Sequence, residues 1–243
     1  MWPLLVALLA LAAITVAALR LSGVTRYWAG PYAVARALLQ LTVLGFVLAG
    51  VIESTLWTAA ALAVMFVSAT TTAVRRLGKF NWGRWAVVAL VMGVAVAVAL
   101  TVIFTTGALV FSPRYLLAAG GIVIGNCMSI ATLTGRRLLL DTHDRWEEVE
   151  GWLALGARPR AATLGIARAA AGEALIPTVD QTRTTGLVTL PGAFVGAVFG
   201  GASPLEAGQF QVLVLAAVIA AGALTSVGLI WLTSPATQKP ARI

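Results

Sequence analysis

The sequence predicts an all-α, polytopic membrane protein of about seven transmembrane helices, and three observations carry that prediction. Of the 243 residues, 60% are hydrophobic and only 11% are charged, with a mean hydropathy of +0.93. A soluble domain carries about 25% charged residues. Several apolar runs reach the ~18 residues that a helix needs to cross a hydrocarbon core of about 30 Å. The period-2 alternation of membrane β-strands, in segments of about 10 residues, is missing.

Taken in order, the spans fall at 2–19, 33–52, 56–74, 85–111, 115–134, 174–201 and 209–232. The first has no side-chain charge before Arg20, so it reads as a retained span; a cleaved signal would carry a basic leading segment. Glu53, Ser54 and Thr55 make a very short turn between the second and third spans. Pro31, Pro113 and Pro204 mark other boundaries, because proline breaks helices. No polar stretch is longer than the loop at 141–168, so residues 1–243 read as one transmembrane domain.

The charge distribution sets an orientation. Of 17 Lys and Arg residues, all but Arg114 and Arg183 lie in or beside alternate connections or in the tail. Positive charge marks the cytoplasmic side. The expectation is therefore a multi-pass protein of the inner or plasma membrane, N-terminus outside and C-terminus inside. The net charge of +8 is accounted for by topology and by anionic lipid headgroups, without nucleic acid.

The segment 141–168 concentrates charge on the cytoplasmic side. It holds five of the nine acidic residues (Asp141, Asp144, Glu147, Glu148 and Glu150) together with His143, which is expected to be solvated. Trp146, Val149, Trp152 and Leu153 recur at helical spacing among those acids, which predicts a short amphipathic helix with one apolar face. Gly156 stops it, and Pro159 prevents its continuation. A second helix from Arg160 leads into the sixth span, so the whole cytoplasmic loop covers about 141–173. One reading is a helix lying on the membrane surface, but such helices carry Lys and Arg on their polar face, and this one is acidic. A protein partner accounts better for the acidity. Trp146, Glu147, Glu150, Trp152, Leu153, Gly156 and Arg158 are the expected docking residues.

The partner has an expected chemistry. A phosphate-binding loop needs G-x-x-x-x-G-K-[ST]. The only lysines, Lys79 and Lys239, precede Phe80 and Pro240. The chain binds no cofactor of its own in this reading: ATP and Mg would enter through a P-loop ATP-binding subunit.

Polar groups also interrupt the spans. Asp180 and Arg183 sit three residues apart on one face of the sixth, each costing roughly 2.5–3.5 kcal/mol at a bilayer centre if unpaired. They either snorkel and fix helix depth or line a gate. Gln40, Asn126, Met128 and Gln181 join them as candidate lining residues. Pro191 is expected to kink the sixth span, beside a glycine face of Gly192, Gly196 and Gly200 that would allow close packing. Gly121 and Gly125 repeat that pattern in the fifth. Cys127 and Met128 are soft ligands, but adjacent helical positions diverge by about 100°, and the bland reading is packing. Glu53 is either a loop cap or an exit-site ligand. No metal ligand set is assigned.

A resemblance then comes into view. Glu150, Gly156 six residues on, and Ile166 ten further resemble the cytoplasmic "EAA" loop of ABC-transporter membrane subunits, without its terminal Leu-Pro. Five blocks in order are more specific: RALLQLTVLGFVL (36–48), AGGIVIGNCMS (119–129), LALGARPRAA (153–162), ALIPTVDQTRTTGLVTLPG (174–192) and GGASPLEAGQFQ (200–211). Together they resemble the FetB-type permease family of bacterial ABC iron exporters, which has a plant relative linked to aluminium tolerance. The resemblance implies a non-enzymatic membrane subunit, export of iron or another metal ion, a separate ATPase, and a homodimer of this chain with two ATPase subunits. Two readings compete. One is a secondary transporter or channel coupled through Asp180 and Arg183; the other is an ABC permease for a lipid or nucleotide-sugar. A membrane enzyme is weakest, because the chain has neither G-x-S-x-G nor H-E-x-x-H.

Overall fold

The computed structural model describes residues 2–51 and 54–241, and the chain divides into two units, Met1–Glu53 and Ser54–Ile243. The first unit is a helical hairpin of α1 (Trp2–Leu21) and α2 (Ala29–Val51). Gly23 closes α1 at φ 71°. Its amide donates to Arg20 and that of Val24 to Leu19 (3.1 and 3.0 Å), which satisfies carbonyls at the helix end. α2 begins four residues before the expected boundary because Pro31 falls in its first turn, where a missing N–H costs nothing.

The second unit holds α3 (Thr55–Arg76), α4 (Trp82–Thr105), α5 (Pro113–Asp144), α6 (Trp146–Ala154), α7 (Pro159–Thr184), α8 (Gly192–Phe199) and α9 (Pro204–Thr233). The starts are written in the sequence. Asn81 Oδ1 accepts from the amides of Gly83 and Arg84 ahead of α4. Ser112-Pro113 and Ser203-Pro204 open α5 and α9 in the same way, with serine at the N-cap and proline at N1. Ser203 and Glu206 complete a capping box, each side chain bonding the other's backbone N–H (3.1 and 3.3 Å).

α5 is the central post, in contact with α3, α4, α7 and α9. The core around it is built from small residues, including Ala73, Ala95, Ala119, Ala131 and Ala221. Glycines set the closest approaches. A Cβ at Gly120 would lie 2.9 Å from Leu62, one at Gly135 would lie 2.7 Å from Leu77, and one at Gly228 would lie 2.7 Å from Val91. Without a hydrophobic drive between helices in lipid, such close contact is what holds spans together. The expected glycine face at Gly192 and Gly196 works differently: neither meets anything within 4 Å in this chain, and nor does Gly125.

Five described helices, α1, α3, α4, α5 and α9, are long and apolar enough to cross a membrane. The expected sixth span, 174–201, is not one helix. α7 ends at Thr184, residues 185–191 form a turn, and α8 follows as a separate short helix. The causes are local. Gly186 takes φ 87°. Thr184 and Thr185 turn their hydroxyls back onto the carbonyls of Asp180 (3.0 Å) and Gln181 (2.8 Å). Pro191 has no N–H to extend a helix through, so it sits at the N-cap of α8 and does not kink a continuous span. The proline that does lie inside a helix is Pro177 of α7.

Candidate functional site

The end of the second unit that carries α6 is built on α5. At 1.5 Å per residue, its 32 residues extend about 48 Å, well beyond a hydrocarbon core. Gly135 lies against Leu77, beside the last turn of α3 with Arg75 and Arg76 and the following α3–α4 turn with Lys79. The last residues of α5, with Arg136, Arg137, Asp141, His143 and Asp144, therefore continue past that turn.

α6 lies against this extension and against α7. A helix of 9 residues does not hold itself together in water, so its packing is what fixes it. Val149 is fully buried in a cluster with Leu138, Ala162, Ile166, Ala170 and Ile230, and Trp146 and Leu153 pack partly onto it. Trp146, Val149 and Leu153 thus form the inner face. Trp152 does not share that face: it is 52% exposed, and Leu155 beside it is 82% exposed. Glu147, Glu148 and Glu150 are also exposed, and Arg145 pairs with Glu148 at 2.6 Å. The outer surface of α6 is therefore three carboxylates, one tryptophan and one leucine. Gly156, at φ 85°, ends the helix as expected. Its amide donates to Leu153 and that of Ala157 to Trp152 (2.9 and 3.0 Å), the paired bonds of a Schellman motif. Arg158, exposed, is the N-cap of α7.

The C-terminal tail returns to this end. Thr163 Oγ1 donates to the Ser234 carbonyl at 2.8 Å, and the Arg160 guanidinium stacks 3.6 Å over the Trp231 ring. His143 Nδ1–H donates to the Pro240 carbonyl at 2.7 Å. The histidine expected to be solvated is thus half-buried and bonded to the tail.

A second group of polar residues lies higher on α5 and α7. Arg137 and Glu173 form an ion pair at 3.1 Å. A Cβ at Gly222 would meet both Ile130 and Leu175. These contacts fix an antiparallel register, in which Asp180 is level with roughly 125–130 of α5. Asp180 and Arg183 pair at 3.6 Å and are 59% and 75% exposed. Gln181 is exposed beside them, and on α5 at this level lie Asn126, which donates to the Ile122 carbonyl at 2.9 Å, and the exposed Ser129. Met128 is half-buried against the core, while Cys127 points into that core and is fully buried. The two sulfur side chains diverge as their spacing requires. Among the described residues, no three His, Cys, Asp or Glu side chains are placed to hold a metal ion. Gln40 is exposed on α2 in the first unit, and Glu53 lies outside the described residues.

The sequence that builds this acidic helix on a helical core belongs to a known family. The family model described as "Uncharacterised protein family (UPF0014)" matches residues 2–237. The chain belongs to the UPF0014 family. Its UPF0014 relatives include the membrane protein STAR2 of rice, 38% identical over 84% of this chain and 72% of that protein. Protein ALUMINUM SENSITIVE 3 of Arabidopsis thaliana is 36% identical over 84% of this chain and 75% of that protein. The probable iron export permease protein FetB of Escherichia coli is 28% identical, over 83% of this chain and 78% of its own length. No solved structure matches. The resemblance to FetB-type permeases therefore holds at the level of the family, and the UPF0014 relatives are membrane proteins, as this chain's apolar helices require.

Sequence reasoning missed the Arg137–Glu173 pair, Pro177 and the tail contacts. A signal existed for the first: Glu173, Pro177, Asp180 and Thr184 recur at heptad-like spacing, which places them on one face of α7.

Proposed function

We propose that this chain is the membrane subunit of an ABC exporter for iron or another metal ion, driven by a separate P-loop ATPase that docks on the outer face of α6. The single observation that carries the reading is the construction of α6. Its inner face is locked to α7 through Val149, while Glu147, Glu150, Trp152 and Leu155 are presented outward. A surface with three carboxylates around an exposed aromatic suits a basic, partly apolar protein groove. The side is cytoplasmic, with seven spans counted through α2 and the α7–α8 pair. ATP and Mg stay with the partner. The cargo is suggested by the name of the bacterial relative, a probable iron export permease. The oxygen-bearing groups near Asp180 suit hard cations better than the isolated sulfurs do.

In this reading ATP-driven motion of the partner moves α6, and α6 carries α7 with it. The test is co-purification of the full chain with a P-loop ATPase from its own cells, followed by outward iron flux in proteoliposomes. Glu150→Lys combined with Trp152→Ala should cut ATPase retention at least tenfold while leaving the permease folded. Full ATP-driven flux from the chain alone, or normal retention by that variant, refutes the proposal.

A further inference from the structure

The segment after α9 is fastened beside both ends of α6. Arg145 is at once the C-cap of α5 and the residue that leads into α6, so no linker separates those helices. At the other end, residues 155–158 lead into α7, whose N-cap is Arg158. Any displacement of α6 therefore hinges at Arg145 and at 155–158. The root of the returning segment lies by the second hinge. Thr163, near the start of α7 and fully buried, donates from Oγ1 to the Ser234 carbonyl at 2.8 Å, and Arg160 stacks over Trp231. Residues 235–241 form neither helix nor strand, and Thr237, Gln238 and Lys239 are exposed. Among the described residues, the one hydrogen bond of this stretch is at its far end, by the first hinge. It joins His143 Nδ1 to the Pro240 carbonyl at 2.7 Å. A carbonyl only accepts, so His143 carries a proton on Nδ1. His143 sits in the last turn of α5, just before Arg145.

We propose that residues 234–240 are a strap that holds α6 seated, rooted on α7 and clasped to α5 by a single bond. Its two ends are unequal. Opening the root leaves a buried carbonyl without a donor, whereas the half-buried clasp exchanges its bond for water at a small net cost. The clasp therefore opens first. Contacts made in one arrangement and lost in another favour the first, so a closed clasp opposes any tilt of α6 away from the end of α5. All of these contacts lie within the second unit. The restraint stands on them alone. Its effect on transport rests on the docking reading, in which the strap is a brake on the movement of α6 by the ATPase.

Hydrogen exchange on the full chain in lipid nanodiscs tests the restraint without any partner. His143→Phe removes the donor and keeps a ring, and a chain ending at Ala236 removes the acceptor. Each should speed exchange at 141–158 by about three- to tenfold, the range of one net hydrogen bond, and leave α3 and α4 unchanged. Combined, they should do no more than either alone, because both break the same bond. Unchanged exchange in either variant overturns the proposal, and so do additive effects. With a P-loop ATPase retained, ATP-driven flux should at least double in each variant, and unchanged or lower flux overturns the brake. If the parent chain retains no ATPase, the docking reading fails and the exchange result alone decides the strap.

Discussion

The anchoring of α6 is the point at which the structure makes its sharpest demand. Val149 is fully buried, and it is the one residue of α6 that is. Val149→Ala removes two methyl groups, worth about 1.6 kcal/mol at 0.8 kcal/mol per buried carbon, before any cavity cost. A helix of 9 residues has little stability of its own to absorb that loss, so the cost should appear as local opening. At 1.36 kcal/mol per factor of ten, amide protection across α6 should fall about 15-fold. Hydrogen exchange on the chain in lipid nanodiscs reads this directly, with α3, α4 and α9 as internal controls. Trp152→Ala removes more apolar surface, yet its side chain faces outward, so α6 protection should change less than twofold. The reasoning fails if Val149→Ala leaves α6 protected, if protection is lost evenly through the chain, or if Trp152→Ala opens α6 as far as Val149→Ala does.

The remaining predictions concern packing, capping and charge. Gly135→Ala sets a Cβ 2.7 Å from Leu77 and should destabilise by about 1–3 kcal/mol, seen as a lower melting temperature in detergent, whereas Gly192→Ala, with open space around it, should leave that temperature unchanged. Gly156→Ala forces a side chain into φ 85° and should cost about 1–2 kcal/mol, read as earlier proteolysis between α6 and α7. Asp180→Asn removes the partner of Arg183 and should lower membrane accumulation of the chain. Adding Arg183→Gln should restore accumulation without restoring transport, as immunoblots and flux assays would show. Pro177→Ala restores a backbone bond to the Glu173 carbonyl. It should raise thermal stability while lowering ATP-driven flux, and unchanged flux would show that α7 is not required to bend.

The legible parts of this fold were those governed by short-range rules. Long apolar runs located α1, α3, α4, α5 and α9, and Pro113 and Pro204 marked where α5 and α9 begin, while the Asn81 cap ahead of α4 went unread. The acid-rich amphipathic pattern gave α6 within one residue of its observed end, because Gly156 is a local stop. The break at 185–191 was hidden by composition: Leu187, Val188 and Leu190 read as membrane core, while Gly186, Pro191 and two back-bonding threonines were each weak alone. The division of Trp146 from Trp152 was hidden as well, because an apolar stripe does not say which of its edges meets a neighbour. The His143–Pro240 bond joins residues 97 apart, and no local rule reports that.

α7 is the element that joins the two polar regions, and its form suits that position. Its first half is buried through Ala162, Ile166, Ala170 and Ala171, in the same cluster that holds Val149 of α6. From Ala170 to Asp180 is about 15 Å along the helix axis. A displacement of α6 therefore reaches the charged pair through one rod, without passing through the small-residue core of α3, α4, α5 and α9. That core is close-packed at Gly120, Gly135 and Gly228 and has little room to deform. α7, by contrast, carries an interior proline between Glu173 and Asp180 and ends at Thr184, within the depth of its neighbours. Helices bend where a backbone bond is missing. The rod is stiff where it meets α6 and compliant just before the ion pair, and a docked ATPase would move Asp180 and Arg183 relative to an unyielding wall.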